Sequence, residues 1–564
     1  MPTLNWIGKE AVVNHHHAVP FHLLRDVPEL SVGEPGAGNL IVQGDNLVAL
    51  KALLPYYAGQ VKCIYIDPPY NTGNEGWIYS DNVKSPIIEA WLKGSVESRI
   101  VTGEKLDRHD RWLCMMYPRL ALLRQFLRED GAIFVSIGDD EVGSLLYLLD
   151  EIFGDSNRLA IFSWKSRAKP VNVGEAKVKP QQVAEYVCVY ARMSNRAKFH
   201  QINSGEARAY PFTSSTNRRY RLQTILKSNR GESKRETMQF EIAGYTPPSD
   251  QRWQGGKVFI QDLNDSGYIE FKEGTPFRRY FADEEPDEND PLYSFLPPDW
   301  TGTAETGKEE LNQIVGNRHG FDTVKPTLLM KRLLAAVTKN DDIILDSFGG
   351  SGTTGQAVSS LNKRDGGNRR FILVEMESKI ARDITAERVK RVALGYTNAK
   401  GEPVAGLGGG FRFCELGEPL FDESGKIRES VRFADLARHV YFTETGEPLP
   451  ELVGDDVRSL TSKSNGKESQ RLLTSSPTKK KKSPVLGVHN GRAVCLLYNG
   501  ILKDKSPDGG NALTQSTLAL LRAACDGQRV ERLVVYGTSQ RLSPARLKRE
   551  GVTFKQIPYS IRIT

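Results

Sequence analysis

The 564-residue chain contains no uninterrupted apolar run of about 20 residues, the length a membrane-spanning helix needs. Its opening residues, MPTLNWIGKEAVVNHHHAVP, lack the basic stretch and apolar core of a secretory signal. Neither export nor membrane insertion is expected, and the cytoplasm is the expected compartment. The six cysteines (Cys63, Cys114, Cys188, Cys414, Cys495 and Cys525) are scattered, with no C-x-x-C and no Cys/His ligand spacing. That excludes a disulfide framework and a structural zinc, and points to free thiols in a reducing compartment. His15, His16 and His17 adjoin one another, but consecutive side chains point different ways, so no metal is expected there. Charge lacks an extreme too: 76 Lys and Arg against 69 Asp and Glu give a formal net charge of +7. A basic balance of this size permits a polyanionic partner, which has to be argued from clusters.

A hydrophobic content of 39% and a charged content of 26% are ordinary for a folded chain. Single cores stop growing at roughly 250 to 300 residues, so two or three domains are expected. From Asn39 to Asp67 the pattern reads strand, helix, strand, the rhythm of an α/β domain with a parallel sheet. It continues through the helical RWLCMMYPRLALLRQFLREDG, ended by Gly131, into the strand AIFVSIGDDE and the helix VGSLLYLLDEIFG. After about Asn157 it breaks into basic clusters, an acidic run and short apolar pieces, and it resumes at DDIILD. The expected division is 1–160 and 316–453 as two parts of one α/β domain, 161–315 as an inserted domain, 454–484 as a polar linker, and 485–564 as a small α/β unit. In that last unit Ser543 as N-cap, Pro544 at the first position and Gly551 as the stop mark a helix.

Two stretches carry chemistry. DSFGGSGTTGQAV, Asp346 to Val358, lies between an expected strand and an expected helix, where glycines let a ligand approach backbone N–H groups. Gly350, Gly352 and Gly355 spell G-x-G-x-x-G, a weak signal alone, since a tight turn packing strand on helix would look the same. Gln356 and Ala357 stand where a phosphate-binding P-loop needs Lys and Ser/Thr, which argues against an ATPase. Glu375, ending the next expected strand, is a carboxylate that can accept hydrogen bonds from ribose hydroxyls. Together they make a nucleoside-cofactor site without naming the cofactor.

The second stretch is IYIDPPYNTGN, Ile64 to Asn74. A buried strand of an α/β sheet delivers its C-terminal end to the ligand crevice, so Asp67 to Tyr70 face whatever the glycine loop binds. Pro68 and Pro69 fix two φ angles and donate nothing. The result is a rigid turn offering the Asp67 carboxylate and the Pro68 carbonyl as acceptors, beside the flat ring of Tyr70. That set suits the exocyclic amino group of a flipped-out base stacked on the tyrosine. An ordinary surface turn would explain Asp-Pro-Pro alone, but not the long apolar run before it and the tyrosine after it.

DPPY with FGGSG resembles the S-adenosylmethionine-dependent amino-group DNA methyltransferases, and the order of the two motifs resembles their β class. LNWIGKEAVVNHH, GDNLVALKALLPYYAGQVKCIYIDPPYNTGN, DGAIFVSIGDDE, FDTVKP and ILDSFGGSGTTGQAV are similar to the modification (Mod) subunits of type III restriction-modification systems. The resemblance implies a permuted Rossmann-like methyltransferase fold with an inserted target-recognition domain. It implies Asp67, Pro68, Pro69 and Tyr70 as the catalytic motif, and Asp346, Phe348, Gly350, Gly352, Thr353 and Thr354 around S-adenosylmethionine. Glu375 would hold the ribose, Asp45 would lie near the adenine, and Lys325 with Pro326 matches the motif ahead of the glycine loop. An aspartate heading the catalytic motif accompanies adenine N6 more often than cytosine N4 as the target. Double-stranded DNA, a homodimer and a separate restriction (Res) subunit are the implied partners.

Carbon-5 cytosine methylation is excluded on separate grounds, because none of the six cysteines follows a proline as its nucleophile usually does. Within SSTNRRYRLQTILKSNRGESKR, Arg218, Arg219, Arg221, Lys227, Arg230, Lys234 and Arg235 surround Tyr220. A cluster like this suits phosphate contacts with an occasional stacking ring, although a solvated face would look alike. Three rivals to a Mod subunit stay open: a solitary methyltransferase, a catalytically silent DNA-recognition module, and a dehydrogenase, which would leave DPPY unexplained.

Overall fold

Alternation of apolar side chains decides how the strands sit. In the segment Val61–Ile66, Ile64 and Ile66 enter one hydrophobic cluster while Cys63 and Tyr65 enter another on the opposite face. Ile343–Asp346 and Arg370–Glu375 divide the same way, Leu345 and Val374 on one face and Ile344 and Leu373 on the other. Strands buried on both faces must be covered by helices on both sides, which is why they read as continuous apolar runs.

The computed structural model describes residues 4–33, 38–72, 108–170, 174–178, 180–203, 209–230, 234–284, 289–450, 483–498, 510–525 and 527–557. Its central sheet contains β1 (His22–Asp26), β2 (Leu40–Gln43), β3 (Val61–Ile66), β4 (Leu127–Ile137), β5 (Arg158–Trp164), β6 (Glu185–Ala191), β7 (Phe295–Leu296), β8 (Ile343–Asp346), β9 (Arg370–Glu375) and β10 (Arg412–Pro419). They pair in the order β1-β10-β2-β9-β8-β3-β4-β6-β5-β7. One face packs on α1 (Asn46–Tyr57), α2 (Arg108–Phe126) and α3 (Val142–Phe153). After α4 (Ala304–Val315), the other face packs on α5 (Thr327–Val337), α6 (Thr353–Asp365) and α7 (Glu387–Leu394).

β8 and β3 are parallel neighbours, with Leu345 opposite Ile64. Strands almost 300 residues apart in the chain are thus adjacent in the sheet, as a permuted fold requires. From β8 the chain moves through α6 to β9, whereas from β3 it moves to β4 on the other side. Their exit loops diverge, and such a reversal opens a crevice at the C-terminal strand ends. β6 runs antiparallel to β4 and β5, so its N-terminal end, Glu185, arrives at that same edge.

Two expectations need correction. The helix before β4 stops at Phe126, not at Gly131: Leu127 already pairs with Val61, and after a bulge Ala132 pairs with Cys63. The inserted unit is Gln201–Pro291 rather than 161–315. β5, β6 and β7 belong to the central sheet because Trp164, Val187 to Ala191 and Leu296 are buried in it. Nearly all of the linker expected over 454–484 lies outside the described residues.

The inserted unit holds a four-stranded antiparallel sheet, in the order Ile269–Lys272, Thr275–Phe281, Arg219–Thr224 and Phe212–Thr213, with a small core around Ile225, Trp253 and Ile260. At the C-terminal end Val485–His489, Arg492–Leu496, Arg532–Gly537 and Val552–Gln556 form another sheet. It packs on α8 (Phe433–Thr445), and its helix Pro544–Arg549 is capped by Ser543 as the sequence suggests. Among the described residues no helix is long and apolar enough to cross a membrane, and no cluster of ligand side chains could hold a metal ion. All six cysteines are free.

Candidate active site

The crevice between β8 and β3 is a cleft of about 320 Å³. Asp67, Pro68, Pro69 and Tyr70 line one side, and Asp346, Phe348, Gly350, Thr353, Thr354 and Glu375 line the other. The Asp67–Tyr70 turn is held from behind. Trp112, fully buried on α2, donates its Nε1–H to the Pro69 carbonyl at 2.7 Å. Asn71 leaves the turn with φ 61°, and its buried amide is bound by the equally buried Glu141. The ring of Tyr70 lies against Gly138, where an added Cβ would come within 3.2 Å of it.

The glycine loop is built around two carboxylates. Asp346 accepts the Phe348 N–H at 3.0 Å and the Thr354 hydroxyl at 2.5 Å. Burial pushes its pKa up to about 7 against those hydrogen bonds. Glu375 accepts the Gly350 N–H at 2.8 Å and the Glu377 N–H at 3.0 Å, and burial holds it too above the usual carboxylate range. Thr353 meets the buried Arg388 at 2.7 Å. Gly350, at φ 46°, opens into the cleft: a Cβ there would meet only the Phe348 carbonyl and the Phe321 ring, at 3.7 and 3.9 Å, and would take up space in it.

Four expected site residues are placed differently. Asp45 caps α1, accepting the Val48 N–H at 3.0 Å and lying 3.3 Å from Arg119, and it is not among the residues lining the cleft. Gly352 also stands outside the lining; its φ of 76° and the Thr385 carbonyl, 3.1 Å from a Cβ, explain the residue type. Gly352→Ala is expected to cost about 1–3 kcal/mol of stability, to be read by denaturant unfolding. An unchanged midpoint would remove the backbone argument. Tyr220 is 6% exposed and its hydroxyl donates to Glu270, so its ring is core rather than a stacking platform. Lys325 does line the cleft, but its ammonium is bound to the Asp67–Tyr70 turn. It lies 2.8 and 3.0 Å from the Asp67 carboxylate oxygens, 2.9 Å from the Tyr70 hydroxyl and 3.1 Å from Glu185.

Glu185 is the residue that motif reading missed. It stands 115 positions after Tyr70, whose hydroxyl donates to it at 2.7 Å. The available signal was a carboxylate heading the apolar run EYVCVYA. Burial opposes its charge, but Lys325 and the Tyr70 hydroxyl outweigh that and hold Glu185 below the usual range. Burial likewise opposes the charge on Lys325, and the two carboxylates outweigh it and hold Lys325 above its usual range. Among the described residues the cleft lining carries Asp67, Glu185, Asp346, Glu375 and Glu377 against the single cation Lys325. Acidic walls around an open glycine suit a nucleoside that itself carries positive charge.

The cationic residues of the inserted unit are divided. Arg218 is paired with Asp283 and Glu284, Arg230 with Asp250, and Lys234 with Glu236. Arg221 lies over the ring of Tyr280, and Arg219 donates to the Tyr210 carbonyl. Lys227 and Arg235 are exposed.

The family model described as DNA methylase matches residues 61–387, more than half of the chain. The Mod subunit of the type III restriction-modification enzyme StyLTI from Salmonella typhimurium is 31% identical over 400 residues, which cover 63% of this chain and 57% of that protein. The EcoPI Mod subunit of Escherichia phage P1 is 29% identical over 426 residues, covering 67% and 64%. The type II methyltransferase M.KpnI of Klebsiella pneumoniae is 27% identical over 395 residues, covering 63% and 88%. The chain therefore spans about six tenths of the length of these Mod relatives. The match runs from β3, through the Asp67–Tyr70 turn, to the glycine loop and Glu375, so the cleft lies inside it; the chain has the α/β methyltransferase fold and belongs to the DNA methylase family.

Proposed function

We propose that this protein transfers a methyl group from S-adenosylmethionine to adenine N6 in double-stranded DNA, as the modification subunit of a type III restriction-modification system. The observation that carries the reading is Asp67-Pro68-Pro69-Tyr70 facing the glycine loop across one acidic cleft. When bound, S-adenosylmethionine supplies a methyl group on a positively charged sulfur, the bond to sulfur breaking with its electron pair left there. Phe348, Gly350, Thr353, Thr354 and Glu375 would hold it, with Asp346 fixing the loop.

An aryl amine is a poor nucleophile because its lone pair is delocalised into the ring. Asp67 and the Pro68 carbonyl accept the two N–H groups of the target amine and turn its lone pair out of conjugation. Charge develops on that nitrogen as it bonds to carbon, and the Asp67 carboxylate compensates it before a proton leaves. Tyr70 offers its ring to the extruded base. The partners proposed are double-stranded DNA, a second copy of the chain and a separate restriction subunit.

A second reading has its own support: the chain spans 88% of the type II enzyme M.KpnI but 57% of StyLTI Mod. It is a methyltransferase acting without a restriction partner, on adenine N6 or cytosine N4. To test the reaction, the protein is incubated with unmethylated genomic DNA and labelled S-adenosylmethionine, and the labelled nucleoside is identified after digestion. N6-methyladenine is expected. N4-methylcytosine would overturn the base assignment, and no label would overturn the activity.

Phosphate contacts are proposed for Arg219, Lys227 and Arg235, which form no ion pair with a carboxylate among the described residues. Replacing all three by alanine is expected to reduce the slope of log affinity against log salt by about 2–3. Arg218→Ala should change it far less, because Asp283 and Glu284 already neutralise that guanidinium. Equal effects from both variants would return the cluster to a solvated face.

A further inference from the structure

Asp67, Lys325, Glu185 and Tyr70 form one connected group at the mouth of the catalytic turn. The Lys325 ammonium lies within 3.1 Å of both carboxylates, and the Tyr70 hydroxyl spans them, 3.0 Å from Asp67 and 2.7 Å from Glu185. Side-chain exposure is 11% for Lys325, 16% for Glu185 and 29% for Asp67. All four line the cleft, and Asp67 is the most exposed of the three charged members.

A lysine held one-to-one by Asp67 would neutralise the carboxylate on which the amine depends. With Glu185 sharing that lysine, two negative charges face one positive charge and the group keeps a net charge of −1. We infer that Glu185 is a positioning residue for methyl transfer: by dividing Lys325 with Asp67 it leaves Asp67 the negative charge that offsets the cation forming on the target nitrogen. The inference rests on the methyl-transfer reading of the cleft and assigns Glu185 no contact with substrate.

The other charged side chains lining the cleft, Asp346, Glu375 and Glu377, are acidic, so none of them competes for the carboxylates. Glu185 reaches this place because β6 is antiparallel and presents its N-terminal end to the ligand edge. A parallel strand in the same position would put its C-terminal residue there instead. Charge held in a partly buried cluster acts more strongly than it would in water, which is why one unit matters.

The test uses the full chain, unmethylated genomic DNA and labelled S-adenosylmethionine at saturation. Glu185→Gln keeps shape and the Tyr70 contact but leaves the group neutral. It is expected to slow labelling on the order of tenfold or more at saturating cofactor, with melting temperature and DNA mobility shift little changed and calorimetric cofactor affinity within a few-fold. Glu185→Asp, which keeps the charge, is expected to remain within a few-fold of the wild type. The double variant Glu185→Gln with Lys325→Met restores a net charge of −1 on Asp67 and is expected to be faster than Glu185→Gln alone, which a purely structural role would not produce. Labelling by Glu185→Gln within twofold of the wild type overturns the inference, as does a double variant no faster than the single one. If the wild type labels no DNA, the methyl-transfer reading falls first and this inference with it.

Discussion

Asp67→Ala is expected to abolish detectable methyl transfer, a loss of at least about 10²–10³-fold, while cofactor affinity measured by calorimetry stays within a few-fold. The reason lies in how the Asp67–Tyr70 turn is supported. Pro68 and Pro69 fix the backbone, Trp112 holds the Pro69 carbonyl, and Glu141 holds Asn71, so removing one carboxylate does not release the turn. Lys325 keeps Glu185 and Tyr70 as partners and is not left buried without a counter-charge. Asp67→Asn is the sharper control, because it retains an acceptor oxygen and loses only the charge. Turnover retained by either variant would remove this carboxylate from the mechanism. A collapse of cofactor binding in parallel would move the residue to the cofactor's side of the cleft.

Asp346 should make stability fall as pH rises through neutrality. Its folded-state pKa of about 7 exceeds its unfolded value near 4, so the folded state binds the proton more tightly. Its contribution is complete below about pH 4 and is lost as pH climbs through about 7, on the order of 4 kcal/mol across that window. Asp346→Asn stays neutral and keeps an acceptor for the Phe348 N–H. Denaturant unfolding at pH 5 and pH 8 is expected to show a larger loss for the wild type than for the variant. Parallel losses would refute the assignment. On the proposed function the same titration has a second readout. A cationic cofactor favours the ionised carboxylate, so its affinity should rise from pH 6 to pH 8 in the wild type and much less in the variant.

Much of the site was legible because its parts are local. DPPY follows a run that has to be a buried strand, FGGSG lies between a strand and a helix, and Glu375 ends β9. Each is a short pattern whose physical meaning is complete within a dozen residues. Residues whose surroundings depend on a distant partner are less legible. Tyr220 looks like a stacking ring until Phe212 and Phe281 enclose it. β6, β7 and most of β5 fall within the insertion expected over 161–315, because short apolar pieces among basic residues do not reveal which sheet will bury them.

The sequence by itself determined the α/β class, the permuted order of the two motifs and the rigid, acceptor-bearing character of the Asp67–Tyr70 turn, because strand ends, proline stiffness and glycine freedom are properties of adjacent residues. Only the tertiary structure decided that Lys325 belongs to Asp67, that Glu185 shares it, and that Glu375 braces the glycine loop. Such ion pairs and hydrogen bonds form only where strand order and direction bring distant ends to one edge of the sheet, and no spacing along the chain encodes that meeting.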